Sequence, residues 1–239
     1  MNGFVHSFES LAAVDGQGLR CALFLAGCPL RCAYCHNPDT WNLCSGKETK
    51  AEDIVRKIVR YKPYFGADGG VTFTGGEPLC QSEFINEVSN QLKDFGVGYV
   101  VDTSGFIPLD ANVKKALSNS QHVILDLKFW DNDSYIKYTK VGIDPILKTL
   151  NYLESIGKPT WIRTVIIPGI NDREEILDLY IRHLTGKKCV EKYELLAFHT
   201  MGFYKYDKLG IENPLVDKQS LETSVKERLQ SYVNSKLFK

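Results

Sequence analysis

Leu19-Arg20-Cys21-Ala22-Leu23-Phe24-Leu25 runs through Ala26-Gly27 into Cys28-Pro29-Leu30-Arg31-Cys32-Ala33-Tyr34-Cys35. The first part is a short, nearly continuous apolar run, which suits a strand buried on both faces of a parallel sheet. The second places three thiols within eight residues directly after that strand. Thiolates bind iron–sulfur clusters, and a four-iron cubane normally takes four of them. Three would hold three irons and leave one open to a ligand that is also a reactant. Structural zinc usually has four closed ligands, often as two Cys-x-x-Cys pairs. No second pair exists, although Cys44 or His36 offers a fourth donor for zinc.

The same strand type recurs at Gly70–Thr74, Gly98–Asp102, His122–Leu127, Thr160–Ile166 and Lys192–Phe198. Amphipathic helix patterns lie between these runs. Thr49-Lys50-Ala51-Glu52 reads as a capping box before Ile54, Val55, Ile58 and Val59. Asp172-Arg173-Glu174-Glu175 opens a second helix, and further helices fit 82–95, 110–119, 144–156 and 218–234. About six β/α units call for a parallel sheet with right-handed crossovers. Six fall short of the eight in a closed barrel. The expected fold is α/β, a partial (β/α)6 open barrel, with a doubly wound sheet as the rival. No linker or composition break appears, so residues 1–239 read as one domain.

The chain has 239 residues, with 29 Lys plus Arg against 29 Asp plus Glu. Balanced charge gives no electrostatic reason to expect nucleic acid or an anionic membrane. No apolar run approaches the roughly 18 residues of a spanning helix. Met1–Ser10 lacks the basic and apolar regions of a secretory signal. A cytoplasmic protein is expected, and the three crowded cysteines then point to metal or redox chemistry instead of disulfides.

Other polar residues close predicted strands. Thr74-Gly75-Gly76-Glu77-Pro78 ends the second. Glycines there let backbone approach a ligand, and a glutamate and backbone carbonyls accept hydrogen bonds from an ammonium group. Asp102-Thr103-Ser104-Gly105 ends the third strand, Asp126-Leu127-Lys128 the fourth, and His199 follows the sixth. Each alone is ordinary surfacing into solvent. Together they converge, because strand C-termini form the active face of parallel α/β folds. Arg163 lies within Trp161-Ile162-Arg163-Thr164-Val165, where it must be paired or face a polar cavity; a cavity is the expectation.

The spacing C-x3-C-x2-C, with an aromatic before the last cysteine, resembles the radical S-adenosylmethionine (SAM) superfamily. By that resemblance Cys28, Cys32 and Cys35 ligate a [4Fe–4S] cluster, whose open iron chelates the methionine amino and carboxylate groups of SAM. One electron then cleaves the sulfonium to methionine and a 5′-deoxyadenosyl radical. Gly75-Gly76-Glu77 resembles the motif that holds the methionine amine.

His6-Ser7-Phe8-Glu9-Ser10, Val14-Asp15-Gly16, Tyr34 to Trp41, Ile124 to Lys128, Trp161-Ile162-Arg163, Pro168-Gly169 and Glu194-Leu195-Leu196 with His199 resemble the family of pyruvate formate-lyase-activating enzymes. The resemblance implies that Tyr34, Cys35 and His36 line SAM. It also implies that Asp126, Leu127, Lys128 and His199 contact SAM, and that Asp102 and Asp126 hold a monovalent cation. Lys128, His199, Asp102 and Arg163 would be the catalytic set. The implied substrate is a glycine in a loop of pyruvate formate-lyase, with flavodoxin as electron donor and a monomeric enzyme. The alternative is a radical SAM enzyme that activates another glycyl radical enzyme or modifies a small molecule. Forty residues separate Cys35 from Gly76 and contain one cysteine, too few for the second cluster of many other activases. Gln17 stands where the family often has proline. Cys21, Cys44, Cys80 and Cys189 lie outside the signature and are expected to be plain buried or surface thiols.

Overall fold

A computed structural model describes residues 1–238. Its strands are β1 (Asn2–Ala12), β2 (Arg20–Leu25), β3 (Lys47–Lys50), β4 (Gly70–Gly75), β5 (Gly98–Thr103), β6 (His122–Asp126), β7 (Thr160–Ile166) and β8 (Val190–Ala197). Its helices are α1 (Ala51–Val59), α2 (Ser82–Lys93), α3 (Ala111–Asn119), α4 (Asn132–Thr139), α5 (Asp144–Ser155), α6 (Glu174–Leu184), α7 (Phe203–Leu209) and α8 (Thr223–Leu237). The strand order is β3-β1-β2-β4-β5-β6-β7-β8, a line with two ends and not a ring. This is the open α/β arrangement that six β/α units imply. Among the described residues, no helix is long and apolar enough to cross a membrane.

All six expected strands form; β2, β4, β5 and β6 are buried on both faces, whereas β8 buries only Tyr193 and Leu195. β4 is buried at Gly70, Val71, Thr72, Phe73 and Thr74. β1 and β3 carry no comparable signal in the sequence. β1 mixes polar and apolar residues without strict alternation, and its pairing with β2 shifts register between Val5 and Ser7 and again between Glu9 and Ala12. β3 is the polar Lys-Glu-Thr-Lys and pairs antiparallel with β1. Thr49 therefore belongs to a strand and caps nothing: the N-cap of α1 is Lys50, without a side-chain bond. Asp172 likewise precedes α6 and accepts from the Gly169 N–H at 2.9 Å. α4 and α7 are also absent from the sequence reading, being short and weakly patterned.

The chain groups into two compact units. The first comprises Met1–Pro29 and Asp39–Ile124; the second comprises Leu30–Pro38 and Leu125–Lys239. The divide falls inside β6, where no loop or composition change marks it, so a reading from composition sees one domain.

In the first unit, β2 pairs parallel with β4 from Arg20–Gly70 to Leu25–Gly75, and β4 pairs parallel with β5. α1 and α2 bury Ile54, Val55, Ile58, Phe84, Ile85, Val88 and Leu92. Arg20 is fully buried at the strand starts. Its guanidinium donates to the carbonyls of Gln17, Asp68 and Val71 and to the Thr72 hydroxyl and Gln121 Oε1, at 2.7–3.2 Å. A buried charge is tolerated because its donors are met. Gln17 takes part through its carbonyl, which any residue supplies.

In the second unit, β7 and β8 pair parallel, with Arg163 opposite Glu194. Tyr180 on α6 and Leu229 and Val233 on α8 are fully buried.

Candidate cofactor-binding site

In the first unit the strand ends bring Cys28 to the glycine motif. After β2, the Gly27 N–H donates to the Thr40 carbonyl at 2.8 Å and the Cys28 N–H to the Trp41 carbonyl at 3.1 Å. After β4, the Gly76 N–H donates to the Leu25 carbonyl at 2.9 Å and the Glu77 N–H to the Gly27 carbonyl at 2.8 Å. The two segments lie so close that side chains do not fit. Gly75 has φ +118°, and a Cβ there would stand 2.4 Å from the Leu25 backbone. A Cβ on Gly76 would stand 2.4 Å from the Gly27 carbonyl oxygen and 3.2 Å from Cys28 Cβ. The glycines are required by this approach.

Glu77 turns inward. It is fully buried, and its carboxylate accepts from the Thr103 hydroxyl at 2.6 Å, the Ser104 N–H at 2.8 Å, the Ser104 hydroxyl and the Leu79 N–H at 3.1 Å. Burial nevertheless lifts its pKa above the usual carboxylate value. Its side chain ties the end of β4 to the end of β5. Asp102, at the end of β5, accepts from the Thr74 hydroxyl at 3.0 Å.

In the second unit the loop Leu30–Pro38 docks on the end of α4. The Arg31 N–H donates to the Thr139 carbonyl at 2.9 Å and the Ala33 N–H to the Tyr138 carbonyl at 2.7 Å. The Cys35 N–H closes a turn on the Cys32 carbonyl at 3.1 Å. Lys128 Nζ lies 2.6 Å from Asp126 Oδ2 and 6.0 Å from the Tyr34 ring centroid. Burial disfavours the ammonium, but Asp126 and Tyr34 outweigh it and hold the Lys128 pKa well above its usual value.

Leu127 is buried. Its N–H donates to the Arg163 carbonyl at 2.9 Å and its carbonyl accepts from the Thr164 hydroxyl at 2.7 Å. Its backbone is thus committed within the fold. Arg163, expected to face a cavity, instead pairs with Glu194: Nε donates to Oε2 at 2.9 Å, and Lys192 Nζ donates to Oε1 at 2.8 Å. The cross-strand register supplies the counter-charge that the sequence pattern does not reveal.

The His36 and His199 rings lie 3.8 Å apart between centroids, and His36 Nε2 is 3.1 Å from the His199 carbonyl. The pKa of each is lowered, first by burial and, for His36, next by His199. Two buried polar atoms here have no hydrogen-bond partner: Tyr34 Oη and His199 Nδ1. Buried polar groups are ordinarily satisfied, so a pair left open beside the cysteine loop fits a bound polar molecule.

All seven cysteines are unbridged. Cys21 is fully buried in β2 with its thiol donating to the Ser10 carbonyl at 3.3 Å, and Cys44 and Cys80 are exposed. Among the described residues, no group of three or more His, Cys, Asp or Glu side chains is drawn together to hold a single metal ion. Within the first unit, Cys28 beside the close-packed backbone at Gly75–Gly76 suits a thiolate-held cluster and its ligand; within the second, Cys32 and Cys35 with the open polar atoms of Tyr34 and His199 suit the same chemistry. Sequence reasoning missed Tyr206, whose hydroxyl donates to the Cys35 carbonyl at 3.0 Å from 171 residues away. No local pattern marks such a partner.

The Radical SAM superfamily model matches residues 23–180. A pyruvate formate-lyase-activating enzyme of Clostridium pasteurianum is 41% identical over 239 residues, covering 98% of this chain and 98% of that one. Its counterpart from Staphylococcus epidermidis is 39% identical, covering 98% and 96%. Among solved structures, a domain of a pyruvate-formate lyase-activating enzyme from Bacteroides vulgatus superposes with a TM-score of 0.56 at 23% identity, covering 70% of this chain and 94% of that one. Streptococcus suis SuiB bound to S-adenosylmethionine gives a TM-score of 0.65 at 19% identity, covering 87% of this chain and 45% of that longer one. These two structures speak to the fold. Superfamily membership implies a [4Fe–4S] cluster and SAM as cofactors. The chain belongs to the radical SAM superfamily and, within it, to the family of pyruvate formate-lyase-activating enzymes.

Proposed function

We propose that this enzyme abstracts a hydrogen atom from the α-carbon of a backbone glycine in pyruvate formate-lyase and leaves the radical on that carbon. The observation that carries the reading is a likeness to enzymes of that name at 41% identity over 98% of both chains. When bound, the cluster and SAM supply one electron and a 5′-deoxyadenosyl radical. The chain's own residues bind, orient and shield. Cys28, Cys32 and Cys35 hold three irons. Backbone carbonyls around Gly75 and Gly76 accept from the methionine ammonium. Tyr34 Oη and His199 Nδ1 find partners on SAM. Lys128, kept protonated by Asp126, supplies positive charge to the same ligand. Asp102 and Asp126 also have the chemistry for a monovalent cation, although Lys128 already neutralises one Asp126 oxygen. His36 and the side chain of Leu127 add packing around the ligand, and Arg163, held by Glu194, positions the substrate loop. Residues 1–239 act as one radical SAM domain, monomeric and cytoplasmic, reduced by a flavodoxin-type donor.

The test is electron paramagnetic resonance on anaerobically reconstituted, dithionite-reduced protein, with and without SAM and pyruvate formate-lyase. A cluster signal altered by SAM, followed by a glycyl radical on the added partner, is expected. A SAM-sensitive cluster with no radical on pyruvate formate-lyase moves the substrate elsewhere. Zinc in place of a cluster overturns the reading.

A further inference from the structure

We propose that the stretch Gly202–Tyr206 is a positioning clamp for the Cys35–Asn37 turn, with Tyr206 its principal donor; this rests on Cys35 being a cluster ligand. Each residue of the turn is held from this one stretch and its neighbour His199. The Tyr206 hydroxyl donates to the Cys35 carbonyl at 3.0 Å, and Lys205 Nζ donates to Asn37 Oδ1 at 2.8 Å. Gly202 lies against the His36 backbone, so that a Cβ there would be 3.0 Å from His36 Cα. The His36 ring packs at a tilt against the His199 ring, 38° between planes. Tyr206 is 1% exposed, so its phenol cannot turn to water.

The consequence concerns where the Cys35 sulfur sits. A carbonyl fixed by a buried phenol fixes the peptide plane, and the plane sets the direction of the side chain. Without that bond the turn keeps its other contacts but samples more orientations, and the thiolate leaves iron more often. Tyr206 acts through the Cys35 carbonyl.

The experiment compares wild type with Tyr206→Phe, which removes one oxygen and keeps the ring. Both are reconstituted anaerobically, and three quantities are followed: iron release to a chelator, the reduced-cluster resonance spectrum, and its titration with SAM. Melting of the cluster-free proteins is recorded beside them. The variant is expected to assemble a cluster and to release iron about fivefold faster, which is about 1 kcal/mol when about 1.4 kcal/mol is tenfold. Its spectrum shifts, and half-saturation with SAM rises about fivefold, in line with one lost hydrogen bond of about 1 kcal/mol. Release, spectrum and titration equal to wild type overturn the clamp while leaving the proposed function in place. A wild type that holds no SAM-sensitive cluster overturns both. Should Tyr206→Phe not fold, Lys205→Ala decides: faster release at unchanged melting supports the clamp, and unchanged release overturns it.

Discussion

Glu77 and Ser104 are joined twice, since the Ser104 N–H and the Ser104 hydroxyl both donate to Glu77 Oε2. With Thr103 and Leu79 on the other oxygen, a fully buried carboxyl bridges the ends of two parallel strands. The glutamate that a motif reading assigns to a ligand is thus the bolt that ties the glycine motif at the end of β4 to the end of β5.

Glu77→Gln tests that bolt. The amide keeps the shape but offers one acceptor oxygen, so donors are left unmet at a cost of about 1–3 kcal/mol. The pH dependence has a definite sign. Burial raises the folded pKa of Glu77 above its ordinary value, so the folded protein retains a proton that the unfolded chain has lost. This contribution to stability is fully present below the unfolded pKa and is lost as pH rises through the folded pKa. The amide of the variant does not titrate. The melting advantage of wild type over the variant, measured on cluster-free protein, should therefore narrow as pH rises above the ordinary glutamate value. An advantage that widens with pH would contradict the assignment.

Gly76→Ala tests the close approach. A methyl 2.4 Å from the Gly27 oxygen forces β2 and β4 apart at their ends, beside Cys28. Overpacking of this kind costs about 1–3 kcal/mol. Cluster-free protein should melt lower, and SAM should no longer perturb the cluster spectrum at concentrations that saturate wild type. Normal melting with normal SAM titration would show that the backbone relaxes freely there.

How much of this was legible in the sequence depends on range. The six expected strands were readable because most are nearly continuous apolar runs, and the cysteine and glycine motifs because spacing is itself the signal. β3 was hidden because Lys47–Lys50 carries no apolar residue and forms only against β1. The Arg163–Glu194 pair was hidden for a related reason: the partner stands 31 residues away and meets it only through strand register. The inward turn of Glu77 depends on Thr103 and Ser104 from a different strand end. Local pattern finds the chemistry, but register and turn geometry decide which atoms of a motif face a ligand.

Lys128→Ala should separate cofactor binding from cluster assembly. Lys128 Nζ sits 2.6 Å from Asp126 and above Tyr34, and it lies outside the cysteine loop. Iron content should match wild type. A charge-assisted hydrogen bond is worth about 1.5–3 kcal/mol, so SAM affinity should fall about tenfold to a hundredfold. Unchanged affinity in the same spectroscopic titration would place the ammonium elsewhere in the bound state.

The ligand set itself is decided by comparing four single variants: Cys21→Ala, Cys28→Ala, Cys32→Ala and Cys35→Ala. Iron needs thiolates, and burial works against them. Cys21 has its thiol on the Ser10 carbonyl within β2, and burial pushes its pKa up to about 12. Burial does the same to Cys189. Cys21→Ala should therefore keep full iron and sulfide after reconstitution, with a small drop in melting temperature. Each of the other three should lose the cubane and all SAM cleavage while the cluster-free protein melts as wild type does. If Cys21→Ala lost the cluster and Cys35→Ala retained it, the ligands would be Cys21, Cys28 and Cys32, and β2 would have to open to release its buried thiol. Iron analysis of the four proteins distinguishes these outcomes directly.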